Sequence, residues 1–388
     1  MKLLVKASII KWSRESTKIP FSAAVKKLGI KQETLQLWES QDTEIPIASL
    51  RKLADTYKRS LGIYFLDDIP QEKNPPTDFR KSAQNRDSFF SKAVVLVIRR
   101  VREIQSNIEE LGLQKFTSLP LSARTNSDPV QLSKELRNVL NISLKEQYAL
   151  SDTSKAYKYW KKIIEEKIGI LTMEYSLPVN EVRAFSINHQ AQPIIIINSK
   201  DEYSARIFSL FHELYHFMLG EEGLCQYKSN LYESNRIEKL CNEFSASFLV
   251  PQEELIFALN QLGFDINNTS SDNNIKKIAS RFSVSRFVVL GRLLSLGLVS
   301  EDYYRTKYSE WTKDYNKKPK DKKGFGSYLD TLMNNNGATY TSGVLDAYGN
   351  KKISLRDVGL LLNTKLKNIG GIREKVMERY GRTSTIPI

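Results

Sequence analysis

The sequence predicts a mostly helical α+β protein built from successive globular pieces. Apolar residues recur at helical spacing along most of the chain, whereas three short β-type runs stand close together at 169–175, 181–187 and 193–198. A strongly apolar helical segment begins at Tyr203, directly after the last of these runs. Because 388 residues exceed what one ordinary core serves, we expect several domains.

The composition is that of a folded protein that stays where it is made. Hydrophobic residues make up 41% of the chain, yet no stretch approaches the about twenty apolar residues that a membrane span needs. The segment Met1–Lys6 lacks the features of a signal peptide, and two cysteines cannot form a disulfide framework. We therefore expect a cytoplasmic protein without a membrane partner.

The charge balance favours a polyanionic partner. The chain has 58 Lys and Arg against 44 Asp and Glu, a net charge of +14, which is compatible with nucleic-acid binding but also with a basic surface that only maintains solubility. The densest lysine run lies at 317–323 and is interrupted by Pro319. This pattern predicts a basic linker over 301–323.

Residues 1–70 show the spacing of a helix-turn-helix domain. Helices are predicted at Ser22–Lys27 and Lys31–Ser40, with a tight break at Gly29, and a third helix at Ile47–Tyr57. In the second helix, Gln32, Thr34 and Gln36 are the candidates for contacts to DNA bases. The same helix carries Glu33 and Glu39, which repel phosphate.

The remainder of the chain divides into a helical connector at 71–150, a central domain at 151–300, and a helical C-terminal region at 324–388. The central domain combines the β-type runs with helices at 203–219 and 235–249 and a helix-break-helix segment at 275–298. In the C-terminal region, Ser354 followed by Asp357 is typical of a helix start.

The motif His212-Glu213-Leu214-Tyr215-His216 carries the strongest chemical signal. On a helix, histidines four residues apart lie on one face, where both can bind the same metal ion. Apolar residues surround the motif on nearly all sides, so the helix must be buried, and buried imidazole and carboxylate groups are costly unless they are paired or bind a metal. The other interpretation is two core histidines that are satisfied by backbone carbonyls.

A catalytic zinc site needs a third protein ligand, and the helix at 235–249 offers Glu238. Asn242, one turn later, is positioned to hydrogen-bond a histidine ring as an outer partner. Glu243 would point about 140° away from Glu238 on the same helix. The sequence leaves four other candidates open for the third ligand: Glu243, Glu233, Cys241 and His189.

With a metal in place, Glu213 is the candidate general base, because it follows the first histidine and lies beside the open coordination position. This arrangement predicts hydrolysis of an amide bond without a covalent intermediate. The run Ile194–Asn198 precedes the histidine helix, and we expect it to pair with an extended substrate segment.

Two segments together resemble the ImmA/IrrE family of zinc metallo-endopeptidases. They are Ala205–His216, which contains the histidine motif, and Ile237–Pro251, which contains Glu238 and Asn242. The resemblance extends from about 170 to 300. It implies a zincin-like peptidase domain that binds Zn²⁺ through His212, His216 and Glu238, with Glu213 as the base. Tyr215 departs from the family pattern, which commonly has Gly there, and predicts a narrowed cleft or an added hydroxyl.

The N-terminal piece resembles the Cro/repressor-type helix-turn-helix domain that is often fused to such peptidases, on the residues Ala24–Ile30, Leu37–Glu39 and Leu50–Ala54. Family resemblance implies a regulatory endopeptidase that cleaves a helix-turn-helix repressor and so releases genes of a mobile element or a stress response. The alternative is a DNA-binding regulator with a structural or inactive metal site. Glu213 discriminates between them, since a purely structural site needs no base.

Overall fold

The computed structural model describes residues 1–72, 90–150, 152–190, 192–220, 224–225, 236–261, 272–317 and 327–380. The chain divides into two compact units, the first formed by 1–75 and 85–101 and the second by 76–84 and 102–388. The division at 101 falls within a helix, and the segment 102–150 belongs to the same unit as the central domain rather than forming a separate connector. No helix among the described ranges is long and apolar enough to span a membrane.

The first unit contains the predicted short helices and a two-stranded antiparallel ribbon that the sequence did not predict. Its strands are β1 (Lys2–Val5) and β2 (Thr43–Pro46), in a register that places Leu3 opposite Ile45. The helices are α1 (Ala7–Ser16), α2 (Phe21–Leu28), α3 (Gln32–Ser40), α4 (Ile47–Tyr57), a 3-10 helix (Leu61–Phe65) and the start of α5 (Lys92–Glu110). Gly29 ends α2 at φ +65°, a conformation that glycine adopts without strain.

The second unit is helical around one small sheet. Its helices after α5 are α6 (Pro129–Val139), α7 (Leu144–Tyr148), α8 (Thr153–Ile163), α9 (Tyr203–Met218), α10 (Arg236–Leu249), α11 (Gln252–Gln261), α12 (Asp272–Phe282), α13 (Arg286–Ser295), α14 (Glu301–Lys317), α15 (Tyr328–Asn336), α16 (Ala338–Gly349), α17 (Leu355–Leu361) and α18 (Ile369–Tyr380). A π-helical turn (Ile164–Ile168) extends α8, and a 3-10 turn (Leu366–Asn368) precedes α18. The α+β class is therefore confirmed.

Helix α14 occupies most of the segment in which a basic linker was predicted, so a linker over all of 301–323 is wrong. Tyr304 and Trp311, seven residues apart on one face, are both 1% exposed and belong to the main core. Their burial stabilises a helix, although the nearby lysines favoured the prediction of a linker. Residues 318–323, which contain the rest of the lysine run, lie outside the described residues.

Helices α15–α18 confirm the predicted helical C-terminal region. The backbone N–H of Asp357 donates to Ser354 Oγ at 3.2 Å, and the Asp357 carboxylate accepts from the backbone N–H of Ser354 at 2.8 Å. These reciprocal bonds form the capping box at the start of α17. Helix α15 packs against the first strand of the central sheet, so this region is part of the second unit.

The central sheet has four strands in the order β3-β5-β4-β6, from β3 (Leu171–Tyr175), β4 (Ala184–Ile187), β5 (Ile194–Asn198) and β6 (Leu224–Cys225). Strand β5 runs parallel to β3 and antiparallel to β4, and all five of its residues are buried. The expectation that β5 pairs with a substrate is therefore wrong, because both of its edges are already hydrogen-bonded within the sheet.

Helix α9 is packed on β4 and β5, with α8 and α10 on its other sides. Aromatic rings join the three helices: the Phe211 ring stacks on Phe248 at 4.2 Å between centroids, and the Trp160 ring meets Phe211 edge-on at 5.2 Å. Aromatic pairs in these geometries stabilise a fold beyond their buried area. This core fixes α9 and α10 against each other.

Candidate metal centre

The start of α9 is anchored to the sheet by buried charges. The Arg206 guanidinium donates to Glu174 on β3 at 3.1 Å and to the backbone carbonyl of Asp201 at 2.9 Å. It also donates to the carbonyl of Ser199. Lys161 Nζ on α8 approaches the other Glu174 oxygen at 3.1 Å. Charge-assisted bonds of this kind are directional, so they fix the position from which α9 projects the histidine motif.

The end of α10 is held by three buried side chains that satisfy its last carbonyls. Arg137 Nη1 donates to Phe248 O at 2.8 Å, Gln147 Nε2 to Leu249 O at 2.9 Å, and Arg292 Nε to Val250 O at 3.1 Å. Burial lowers the pKa of Arg137 to about 10, so its guanidinium stays charged at neutral pH. Two cations at a helix C-terminus also complement the helix dipole.

Three predicted ligands meet between α9 and α10. His212 Nε2 lies 3.3 Å from His216 Nε2 and 3.3 Å from Glu238 Oε2, and His216 Nε2 lies 3.3 Å from Glu238 Oε1. All three side chains are at most 4% exposed. Donor atoms around one tetrahedral zinc ion are separated by about 3.3–3.8 Å. Two imidazole nitrogens and a carboxylate at this spacing therefore fit a metal ion.

Asn242 lies one turn after Glu238 and contacts the opposite side of the first histidine ring. Its Oδ1 is 3.0 Å from His212 Nδ1. A carbonyl oxygen can only accept, so Nδ1 carries the proton and the lone pair of Nε2 faces the other ligands. The arrangement matches the outer partner that metal-binding histidines require.

The pKa values of Glu238 and His212 are shifted by burial and by the charges around them. Burial by itself raises the pKa of Glu238, but the neighbouring His212 and His216 outweigh it and hold the pKa far below its usual range. Burial lowers the pKa of His212, whereas the Glu238 carboxylate raises it, and the net direction is upward. The cluster is thus arranged to hold a positive charge beside Glu238.

Glu213 is fully buried beside the three ligands. Neither of its carboxylate oxygens has a hydrogen-bond partner among the described residues. Burial raises its pKa, partly opposed by His216 and His212 and by the nearby Ser186 hydroxyl on β4. An unpartnered buried carboxylate costs free energy, and such a group is typical of a catalytic base rather than of a structural residue. Nothing in the sequence around Ser186 singled out this hydroxyl.

Of the other candidates for the third ligand, the structure places one beside the two histidines and directs two others toward different partners. Cys241 joins the pair of histidines, with one ligand atom of each of the three residues within 4.8 Å of the others. Glu243 instead faces the Arg292 charge, and His189 Nε2 lies 3.8 Å from Glu109 Oε2 on α5. Glu233 lies outside the described residues.

The position of Tyr215 in the motif predicted that its ring would narrow the cleft. The structure shows that the ring does not. The side chain is 0% exposed, and its ring packs on Phe244 of α10 at 4.6 Å between centroids. The ring therefore fills the interface between α9 and α10. Burial raises the pKa of its hydroxyl to about 12, so the phenol is neutral at physiological pH.

A buried cluster of candidate metal ligands with a neighbouring carboxylate, on a helix packed against a small sheet, is the arrangement that a zincin-like metallopeptidase site requires. Residues 165–294 match the Peptidase_M78 family, described as the IrrE N-terminal-like domain. The matched segment includes α9, α10 and the four strands, and the match supports a zincin-like metallopeptidase of the ImmA/IrrE type for this part of the chain. No curated protein gives a match to the chain.

Proposed function

We propose that the second unit is a zinc-dependent endopeptidase that cleaves a helix-turn-helix transcriptional repressor, and so derepresses genes of a mobile element or a stress response. The convergence of His212, His216 and Glu238 within 3.3 Å, next to an unpartnered Glu213 carboxylate, carries the proposal. The family match supports the peptidase class. The repressor as substrate follows from the family resemblance.

Each residue of the site has a distinct role in this proposal. His212, His216 and Glu238 hold the ion, and Asn242 keeps the first imidazole in the binding tautomer. The bound zinc supplies Lewis acidity, which polarises the scissile carbonyl and lowers the pKa of a coordinated water. Glu213 accepts the proton of the attacking water and delivers it to the leaving amine. Burial raises the pKa of Glu213, which makes its carboxylate a stronger base for the first of these transfers.

The test compares four purified proteins: wild type, His212→Ala, Glu238→Ala and Glu213→Gln. We expect about one zinc per wild-type chain, less zinc in the first two variants, and full zinc with no cleavage in Glu213→Gln. Cleavage is followed on the helix-turn-helix repressor encoded beside this gene. If wild type binds zinc but shows no cleavage that is lost in Glu213→Gln, the peptidase proposal is contradicted and a structural metal site is favoured.

One observation on the first unit favours DNA binding as a second candidate function. The recognition-helix candidate α3 exposes Gln32 and Gln36 to solvent and Thr34 in part. Glu39, which was expected to repel phosphate, receives two charge-assisted bonds from Arg14 at 2.7 and 2.8 Å. Glu33 is then the only residue of α3 that presents an unpaired negative charge to an approaching DNA phosphate backbone.

DNA binding is tested by fluorescence anisotropy of full-length protein with duplex DNA from its own promoter region, at several salt concentrations. Specific binding predicts that Gln32→Ala and Gln36→Ala each weaken this duplex more than an unrelated one. Arg14→Met should weaken both duplexes, because it releases the Glu39 charge. Equal binding of both duplexes by all variants would argue against base recognition by α3.

A further inference from the structure

We propose that Cys241 is a fourth protein ligand of the metal ion, so that the resting site has two nitrogen donors, one oxygen donor and one sulfur donor. This inference rests on the proposed function, because it assumes that the site between α9 and α10 binds zinc. It concerns a residue that the peptidase chemistry does not use.

The position of Cys241 on α10 places its side chain on the helix face that is turned toward the site. Glu238 and Cys241 are three residues apart, and side chains at that spacing lie on the same face of a helix. Since Glu238 contacts both histidines, this face is turned toward α9. Cys241 is 0% exposed, and it forms with His212 and His216 a buried group whose ligand atoms all lie within 4.8 Å.

The chemistry of the donors fits the same ion. Zinc is a borderline-soft metal that binds thiolate at about 2.3 Å and imidazole at about 2.0–2.1 Å. The ligand atoms lie within 4.8 Å of one another, and donors in a tetrahedral site are about 3.3–3.8 Å apart, so the thiol has to move by at most about 1 Å to bind. The alternative role, a small apolar side chain that fills the helix interface, does not explain why the sulfur lies beside both imidazoles.

A fourth protein donor has a direct consequence for activity. Catalytic zinc sites have three protein ligands and leave one position for water, whereas sites with four are closed. The Cys241-bound form therefore has no position for the attacking water. Exchange of the sulfur for a water molecule, with protonation of the released thiolate, would open the site, so Cys241 gives this regulatory peptidase a silent resting state.

Cobalt substitution tests the proposal, because thiolate bound to Co²⁺ gives a near-ultraviolet charge-transfer band that nitrogen and oxygen ligands do not give. The full-length apoprotein is titrated with Co²⁺ as wild type, Cys241→Ala, Cys241→Ser and Cys225→Ser. We expect the band in wild type and in Cys225→Ser, the matched control that removes the other thiol. Both Cys241 variants should lack it and bind zinc at least about tenfold more weakly.

Stoichiometric Co²⁺ binding without the band in wild type would overturn the role of Cys241 and leave the metal site of the peptidase standing. Absence of Co²⁺ binding in wild type would overturn both. Cadmium NMR on Cys225→Ser gives an answer that does not depend on the folding of the Cys241 variants, because a sulfur ligand shifts the cadmium resonance strongly downfield. At saturating zinc, Cys241→Ala should cleave the repressor faster than wild type, and an equal or slower rate would contradict the closed resting state.

Discussion

Asn242 Oδ1 lies 3.0 Å from His212 Nδ1, and this contact orients the first histidine of the motif. We expect Asn242→Ala to weaken zinc binding by about 10–100-fold, because the ring loses the acceptor that fixes its tautomer. Asn242→Asp keeps an acceptor at the same place and should retain most of the affinity. Competition with a chromophoric chelator measures both. Equal affinity of Asn242→Ala and wild type would show that His212 is oriented by other contacts.

Metal removal should lower the stability of the second unit. A ligand that binds only the folded state stabilises it by RT ln(1 + [L]/Kd), about 2.7 kcal/mol at a hundredfold excess over Kd. The unfolding temperature of wild type should therefore rise with zinc concentration and fall when a chelator is added. Glu238→Ala loses the carboxylate that contacts both histidines and should show a smaller rise with zinc concentration than wild type. A rise of equal size in that variant would indicate zinc binding elsewhere.

Substitution of Arg292 should lower the free energy of unfolding, because its side chain donates to a carbonyl at the end of α10. Arg292 is 2% exposed and donates to the carbonyl of Val250 at 3.1 Å. Arg292→Met leaves that carbonyl unsatisfied, which costs about 1–3 kcal/mol, and it also removes a cation from the helix C-terminus. Urea denaturation followed by tryptophan fluorescence measures the loss.

The matched control for Arg292 is Arg305→Met on α14. Arg305 is 62% exposed and pairs with Glu301 across one helical turn, so its loss should change the free energy of unfolding by less than about 0.5 kcal/mol. If the two variants lose equal stability, the Val250 contact does not hold the end of α10.

The sequence predicted those parts of the site whose spacing is set within one helix. His212 and His216 are four residues apart on α9, and Glu238 and Asn242 are four apart on α10, so each pair shares a face wherever the helix lies. The approach of Cys241 to the histidines depends on how α9 and α10 pack, which no local spacing encodes. The Ser186 hydroxyl beside Glu213 was missed for the same reason.

Most helices were also predictable, and the failures have physical causes. Strands β1 and β2 are four residues long, too short for a clear alternation of apolar and polar residues. The sequence around α14 predicts a linker because lysines are frequent there, although Tyr304 and Trp311 bury one face of the helix. The pairing of β5 on both edges requires knowledge of sheet order, which a single strand sequence does not contain.

Glu174 gives the second unit an acid-sensitive contribution to stability. Burial raises its pKa, but the charges of Lys161 and Arg206 outweigh this effect, so the pKa lies below the usual 4.5. A depressed carboxyl pKa stabilises the fold above the unfolded-state value, and the stabilisation is lost as the pH falls through the folded-state value. At pH 7, Glu174→Gln leaves the buried Arg206 and the half-buried Lys161 without their counter-charge and should cost about 3–5 kcal/mol.

The difference between wild type and Glu174→Gln should be largest above about pH 5 and should shrink below pH 4.5, because only wild type then loses an ion pair. Thermal unfolding at pH 7 and at pH 4 measures this change. Glu166→Gln is the control: Glu166 is 51% exposed and lies 3.9 Å from Lys162, so it should follow wild type at both pH values. A Glu174→Gln deficit that is the same at both pH values would mean that packing around Glu174, and not its charge, anchors the start of α9 to the sheet.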